Sequence, residues 1–317
     1  MSWSARIIDK AQAGKELPKQ VSSLLRQQRM SWKMLRDGEA ALGKIKSKTL
    51  VQNGEQIVVQ ENPGRRISTN AKVDPLSIAR RPCFLCLENL PLEERGIELD
   101  EFVIFPNPYP ILQDHLTIPI REHLPQRLEN SADRMLEIAS LLGSEMLVYY
   151  NGARCGASAP DHFHFQAGRK KGVPLFERPF FDVEKNGVTS HSSFGRRMLA
   201  CCEKEPEKVA SFLHQALELL AENSGDAEEA LVNILCAFQN GRYIAVLFPR
   251  GKHRPECYFS EVDSRLAISP AALEMAGILV VAEPEHFERV NRQAAVSIYK
   301  EVTLNEKLFT KLTRTLC

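Results

Sequence analysis

The chain has 317 residues, 44% of them hydrophobic, with 41 basic residues against 40 acidic ones and a formal charge of +1. That length buries a core as one large domain or two smaller ones, and the even charge balance gives no support to a duplex-nucleic-acid coat or a polybasic membrane anchor. The apolar runs, "ALEMAGILVVA" among the longest, fall short of the ~20 residues that cross a bilayer, and "MSWSARIIDKAQAGKELPKQ" is charged where a signal peptide is apolar, so a soluble, cytoplasmic protein is expected.

Residues 5–47 read as helical, since "QVSSLLRQQRMSWKMLRDGEAAL" spaces its apolar residues three and four apart. "GEQIVVQENPGRRIS" reads as a strand leaving a glycine turn and ending at Pro63-Gly64. Two short β runs parted by a proline-rich turn are expected over 101–119, then a helix at 126–144 and a strand at "EMLVYYNG". The stretch after 169 reads as loop until a helix near 206–223. Strands at 230–238 and 242–248 are joined by "QNG", a hairpin signal, and 284–312 reads as helical.

A faint internal repeat accompanies this pattern. "HLTIPIREH" (115–123) and "IAVLFPRGKH" (244–253) each end a strand with a proline, three residues and a histidine. Laying Pro160 on Pro270 sets Phe163 against Leu273 and Phe165 against Met275, with His162 on Ala272 and His164 on Glu274. On that reading the chain is two copies of one unit, and the first alone keeps its histidines.

"GASAPDHFHFQAG" (156–168) carries the chemistry. In a strand His162, His164 and Gln166 share one face while Phe163 and Phe165 face a core. A half-buried strand with a polar solvent face has the same pattern. Eight cysteines are too few for a disulfide scaffold, which leaves metal or core roles in a reducing compartment. Cys83-x-x-Cys86 suits two thiolates on one tetrahedral ion, with His123, His162, His115 and Asp161 as candidates to complete it. If His162 turns to a metal, His164 is left as a nucleophile. The loop around Asn151, Gly152, Gly156 and Ser158 lets backbone N–H groups and a hydroxyl approach an anion, and "NPGRRIS" offers Asn62, Arg65, Arg66 and Ser68 to phosphate oxygens.

"NGARCGASAPDHFHFQ" resembles the active-site segment of the histidine triad superfamily, in its transferase branch of uridylyltransferases and nucleotide phosphorylases. The signature is H-x-H-x-Q after a small-residue loop; the hydrolases of the superfamily carry a third histidine where Gln166 stands. "RPCFLC" and "DHLTIPIREH" are similar to its metal-binding segments, and Asp161 is an extra residue relative to the uridylyltransferase pattern. The resemblance implies an α+β fold of two histidine-triad-like halves, antiparallel sheets flanked by helices. It implies an N-terminal helical segment at 1–49, a catalytic half at 50–200 and a degenerate second half at 201–317. It also implies structural zinc held by Cys83, Cys86, His123 and His162.

The activity implied is nucleotidyl transfer or phosphorolysis of a nucleoside diphosphate sugar or dinucleoside polyphosphate through a nucleotidyl-His164 intermediate. Gln166 and Ser158 assist, Asn62, Arg65, Ser68, Asn151, Gly156, Lys252 and Arg254 bind substrate, and phosphate or a sugar phosphate is the acceptor. A nucleotide-binding or sensing protein with little turnover, or a triad-type nucleotide hydrolase, is the alternative. Nucleic acid and membrane are not expected as partners; a homodimer is compatible with this scheme.

Overall fold

The computed structural model describes residues 2–11, 16–66, 73–128, 131–177, 184–224, 230–261 and 263–317. Its strands are β1 (Ile7–Lys10), β2 (Lys46–Gln52), β3 (Glu55–Glu61), β4 (Gly96–Leu99), β5 (Phe102–Pro106), β6 (Leu116–Pro119), β7 (Met146–Asn151), β8 (His164–Arg169), β9 (Gly187–Ser193), β10 (Arg196–Glu203), β11 (Val232–Gln239), β12 (Arg242–Pro249) and β13 (Ile278–Val281). Ten form one sheet in the order β1-β4-β5-β6-β8-β7-β11-β12-β10-β9, and β13, β3 and β2 form a smaller one.

The large sheet is built twice from one unit. Over 102–169 the chain runs β5, β6, the helix Ala132–Leu142, β7 and β8; over 187–249 it runs β9, β10, the helix Pro206–Ser224, β11 and β12. Each unit orders its strands first-second-fourth-third, and the two meet where β7 and β11 pair antiparallel, Tyr149 opposite Leu235. The duplication is therefore present, with a different phase from the sequence overlay. By position in the unit β6 matches β10 and β8 matches β12, whereas the overlay set β6 on β12 and β8 on the short helix Ala272–Met275. A proline that ends a strand recurs for steric reasons and is not a marker of equivalent position. The second unit also begins before residue 200, because β9 and β10 belong to it.

β9 and β10 fall in the stretch that reads as loop. β9 is a polar edge strand, β10 is buried at nearly every position, and neither shows alternation. Their turn, Phe194-Gly195, has both φ positive (51° and 81°), but phenylalanine gives no turn signal. The β11–β12 turn at Asn240-Gly241 has φ of 53° and 72°, as its sequence announces. At the N-terminus the expected continuous helix is instead β1, parallel to β4, followed by helices Glu16–Ser31 and Lys33–Leu42. The helices Pro284–Arg289, Arg292–Val302 and Glu306–Leu316 agree with the reading. No helix among the described residues is long and apolar enough to cross a membrane.

Alternation sorts the central strands onto two cores. Val148, Tyr150, Phe163 and Phe165 pack beneath the sheet with the 132–142 and 206–224 helices. Leu147, Tyr149, Met198 and Leu235 face the other side, where the small sheet and the 292–302 helix cover them. A cavity lined by Tyr149 and Gln166 opens on this second face.

Candidate active site

A cavity of about 790 Å³ lies over the β5–β6–β8–β7 quarter of the large sheet. Register places Phe105 opposite Thr117, Thr117 opposite Gln166, and Gln166 opposite Tyr149, so these four side chains form one row across its floor. His164, two residues from Gln166, shares that face and also lines the cavity.

His164 is 4% exposed, and its Nδ1 lies 2.8 Å from the carbonyl oxygen of His162. A carbonyl only accepts, so Nδ1 carries the proton and Nε2 keeps its lone pair. Among the described residues Nε2 has no hydrogen-bond partner. Burial pushes the ring's pKa down to about 4, the bond to the His162 carbonyl opposing it, so the imidazole is neutral at pH 7. A buried, neutral imidazole with its free nitrogen on a cavity is the state a nucleophile requires.

Two side-chain amides flank it, each with its oxygen already claimed. The backbone N–H of Ile111 donates to His115 Nδ1 at 3.2 Å, so Nε2 carries the His115 proton and meets Gln166 Oε1 at 3.0 Å. The Tyr149 hydroxyl, which also contacts His115, donates to the same oxygen at 3.2 Å. Burial pushes His115 down to about 3, with Arg65 adding to the effect, and this keeps the donor neutral. Gln166 thus has its NH₂ turned to the cavity. Asn151 repeats the arrangement: its Oδ1 accepts from Asn233 Nδ2 at 3.0 Å and from the Ala272 backbone at 2.7 Å, leaving its NH₂ to the cavity. Asn233 is oriented in turn by the buried guanidinium of Arg250. Both amides are aimed at acceptor atoms before any ligand arrives.

The small-residue loop completes the wall. Gly156 has φ of 98°, and a Cβ there would stand 2.4 Å from the Cβ of Ala271, so the loop closes against the 269–274 segment only as glycine. Gly156→Ala is expected to cost about 2 kcal/mol or more; denaturant unfolding measures it, and a loss below half that value would mean that the loop yields. Arg65, held by the Tyr109 carbonyl at 2.9 Å, and Arg254, 4.2 Å above the Tyr258 ring, bring positive charge to the cavity. His253 lines it too, pushed down to about 3 by burial and by the neighbouring Arg254, Arg250 and Arg154.

Behind this face His162 turns the other way. Its Nε2 donates to the Ile120 carbonyl at 2.8 Å, leaving Nδ1 toward Cys83 Sγ at 3.3 Å and Cys86 Sγ at 3.6 Å; His123 Nδ1 meets Cys86 Sγ at 3.1 Å. All four ligating atoms lie within 4.8 Å of one another. A tetrahedral zinc with arms of ~2.0–2.3 Å has ligand–ligand edges of about 3.3–3.8 Å, so the donors and their spacing fit such an ion. Burial raises the pKa of both thiols, that of Cys86 to about 12 with Cys83 beside it, and a divalent cation is what stabilises two adjacent thiolates there. Asp161 is paired with Arg81 at 2.8 Å, and its other oxygen is 4.0 Å from His123 Nε2. Asp161→Asn is therefore expected to weaken metal binding roughly 10-fold, as outer carboxylates do, in a chelator competition titration.

Of the residues expected from sequence, His164, Gln166, Ser158, Asn151, Gly156, Arg65 and Arg254 line the cavity, and Cys83, Cys86, His123 and His162 converge as a set. Lys252 does not line it: its ammonium is spent on Glu256 at 2.9 Å and Glu301 at 2.5 Å. Asn62 is buried elsewhere, donating to the Pro110 carbonyl at 3.1 Å. Ser68 lies outside the described residues. Tyr149, Glu94 and Trp32 line the cavity without being expected there, and His115 is a support for Gln166, not a metal ligand. The period-2 step from Gln166 could not have pointed to Tyr149, because the two meet only through register.

Residues 24–169 match the family model of a domain of unknown function, DUF4922, and residues 184–317 match the GDPGP1-like C-terminal domain. No curated protein matches the sequence. Among solved structures, yeast Ap4A phosphorylase Apa2 is similar at a TM-score of 0.58 and 13% identity, over 92% of this chain and 96% of that one. The same yeast protein in complex with Ap4A aligns at 0.58 and 14% identity, over 92% and 99%. A DUF4931 family protein from Bacillus cereus aligns at 14% identity over 48% of this chain and 83% of its own, with a TM-score of 0.36. At these identities the likeness to the yeast phosphorylase is one of fold, and it bears out the α+β architecture and the resemblance read from the histidine segment.

Proposed function

We propose that this chain, which carries the fold of the transferase branch of the histidine triad superfamily and a GDPGP1-like C-terminal domain, is a nucleotide phosphorylase or nucleotidyltransferase. The observation that carries the reading is the state of His164: protonated on Nδ1, neutral, buried on the cavity, with no hydrogen-bond partner for Nε2 among the described residues. Nε2 attacks the α-phosphorus of a nucleoside diphosphate sugar or dinucleoside polyphosphate; a P–N bond forms and the P–O bond to the leaving phosphoryl group breaks. A phosphate or sugar-phosphate oxygen then attacks the same phosphorus, the P–N bond breaks, and the imidazole is restored.

The NH₂ groups of Gln166 and Asn151 hold non-bridging oxygens as charge grows on them, and Arg65 and Arg254 neutralise the phosphates. Gln166 has no basic nitrogen with which to pass a proton to water, and this favours a covalent intermediate that waits for a phosphate acceptor. Cys83, Cys86, His123 and His162 would hold a structural zinc that ties the 83–86 loop to the catalytic strand, with no open position for substrate.

The test is to incubate the protein with nucleotide donors labelled at the α-phosphorus, quench, and look for an acid-labile protein adduct with ping-pong kinetics. Turnover that ignores added phosphate would mean a hydrolase, and tight binding without an adduct would mean a sensor. Tyr149→Phe leaves Gln166 Oε1 only its His115 donor, so kcat is expected to fall about 10-fold with KM little changed, the worth of one buried hydrogen bond. An unchanged kcat would show that the phenol does not orient the amide.

A further inference from the structure

The second unit has no histidine on β12, which stands where β8 stands in the first, yet it reaches the catalytic face at one point. β11 pairs with β7 so that Asn233 lies opposite Asn151. Continued from Tyr149 opposite Gln166, the β7–β8 register sets Asn151 opposite His164. Residues opposite one another share a face, so Asn233, Asn151 and His164 form one row across the seam between the units.

Behind Asn233 is Arg250, 2% exposed, and every N–H of its guanidinium has an acceptor. Nε donates to the Val302 carbonyl at 3.1 Å, and one terminal nitrogen to Asn233 Oδ1 and to the Pro270 carbonyl at 2.9 Å. The other donates to the carbonyls of Lys252 at 3.2 Å and His253 at 3.0 Å. No carboxylate forms an ion pair with it among the described residues. A buried cation answered only by neutral oxygens is costly, and packing alone does not account for it.

What the cation does is fix a direction. A guanidinium has no acceptor, so the Asn233 atom that faces it is the oxygen. The Asn233 NH₂ then faces the Cys155 carbonyl at 2.7 Å and Asn151 at 3.0 Å. The Asn151 atom that meets this NH₂ must accept, and the same oxygen takes the Ala272 N–H at 2.7 Å. The Asn151 NH₂ is left for the cavity beside His164. Each orientation follows from the one before it, and the series begins at the cation.

Resting on the nucleotide reading above, we propose that Arg250 and Asn233 are positioning residues supplied by the second unit. Through Asn233, the guanidinium holds Asn151 as a hydrogen-bond donor to the phosphoryl group that His164 attacks. Neither residue lines the cavity. An Asn151 amide that turned over would set its oxygen against the anion, so the unit without a nucleophile keeps the polarity of the site that has one.

A double-substitution cycle on the full chain tests this, read as the single-turnover rate of adduct formation from a donor labelled at the α-phosphorus. Asn233→Asp keeps the size of the side chain and its partnership with Arg250, but turns an acceptor toward Asn151. It should slow adduct formation by at least about 10-fold, as the loss of an aimed donor does. In a chain that already carries Asn151→Ala, the same change should cost less than about 2-fold, because the group it acts through is gone. Arg250→Met should show the same dependence on Asn151, and it carries the cycle if thermal melts show Asn233→Asp to be unfolded. Equal fractional losses with and without the Asn151 amide would mean a structural role alone, which overturns the proposal and leaves the nucleotide reading intact. Adduct formation at the wild-type rate in folded Asn233→Asp would overturn it as well. A wild-type chain that forms no adduct removes both readings.

Discussion

Alanine in place of His164 should reduce nucleotidyl transfer by at least about 10³-fold and abolish the labelled adduct, while the protein stays folded. The effect is large because the imidazoles of His162 and His115 are already engaged. His162 has its Nδ1 among the thiols and its Nε2 on a carbonyl, and His115 is committed at both nitrogens. The fold survives because the strand is held by its backbone. Gln126, itself fully buried, accepts from the His164 N–H at 2.8 Å and donates to the carbonyls of Asn151 at 2.9 Å and His164 at 3.0 Å. That clamp joins the end of β7 to the start of β8 whatever side chain stands at 164. Steady-state phosphorolysis together with a thermal melt checks both halves of the expectation. A rate within 10-fold of wild type would dismiss the nucleophile.

On the zinc reading proposed above, serine in place of Cys83 should release most of the metal and lower stability by about 3 kcal/mol or more, since removing a ligand from a closed site forfeits binding energy that is also folding energy. Cys83 is nearly buried and packs with Leu85 and Ala159, so the loop that carries it sits directly beneath the Ser158 segment. Arg81, two residues earlier, donates to the Ser158 carbonyl at 3.2 Å. Loss of the metal should therefore loosen the cavity wall as well, with a fall in activity that exceeds the loss of folded protein. Metal content, thermal unfolding and activity measured on the same sample distinguish the effects. Full metal occupancy in the variant would mean that Cys83 is not a ligand.

The site residues legible in the sequence were those whose relation is local. H-x-H-x-Q places alternate side chains on one face because a strand has a period of two, and C-x-x-C brings two thiols together because one turn of chain spans that distance. The thiols do meet and His164 and Gln166 do share a face, with Phe163 and Phe165 in the opposite core, but His162 precedes β8 and turns away from that face toward the thiols. Lys252 illustrates the limit. Its sequence neighbourhood, "PRGKHRP", looks like a phosphate clamp, but the partners that occupy its ammonium include Glu301, which the C-terminal helices bring in from 49 residues away.

Periodicity and spacing therefore determined that His164 and Gln166 share a face and that the two thiols of Cys83 and Cys86 meet, since each depends on backbone stereochemistry within a few residues, while the α+β class of fold and its two halves were implied by the resemblance of the histidine segment. The phase of the repeat, the edge strands β9 and β10, the orientation of the Gln166 and Asn151 amides and the burial of Glu94 were decided by the tertiary structure alone. Each of these depends on which strand lies beside which, and the contacts join residues such as Asn151 and Ala272, 121 positions apart. Sheet register and the closing of one segment over another create those neighbours, and no local pattern encodes them.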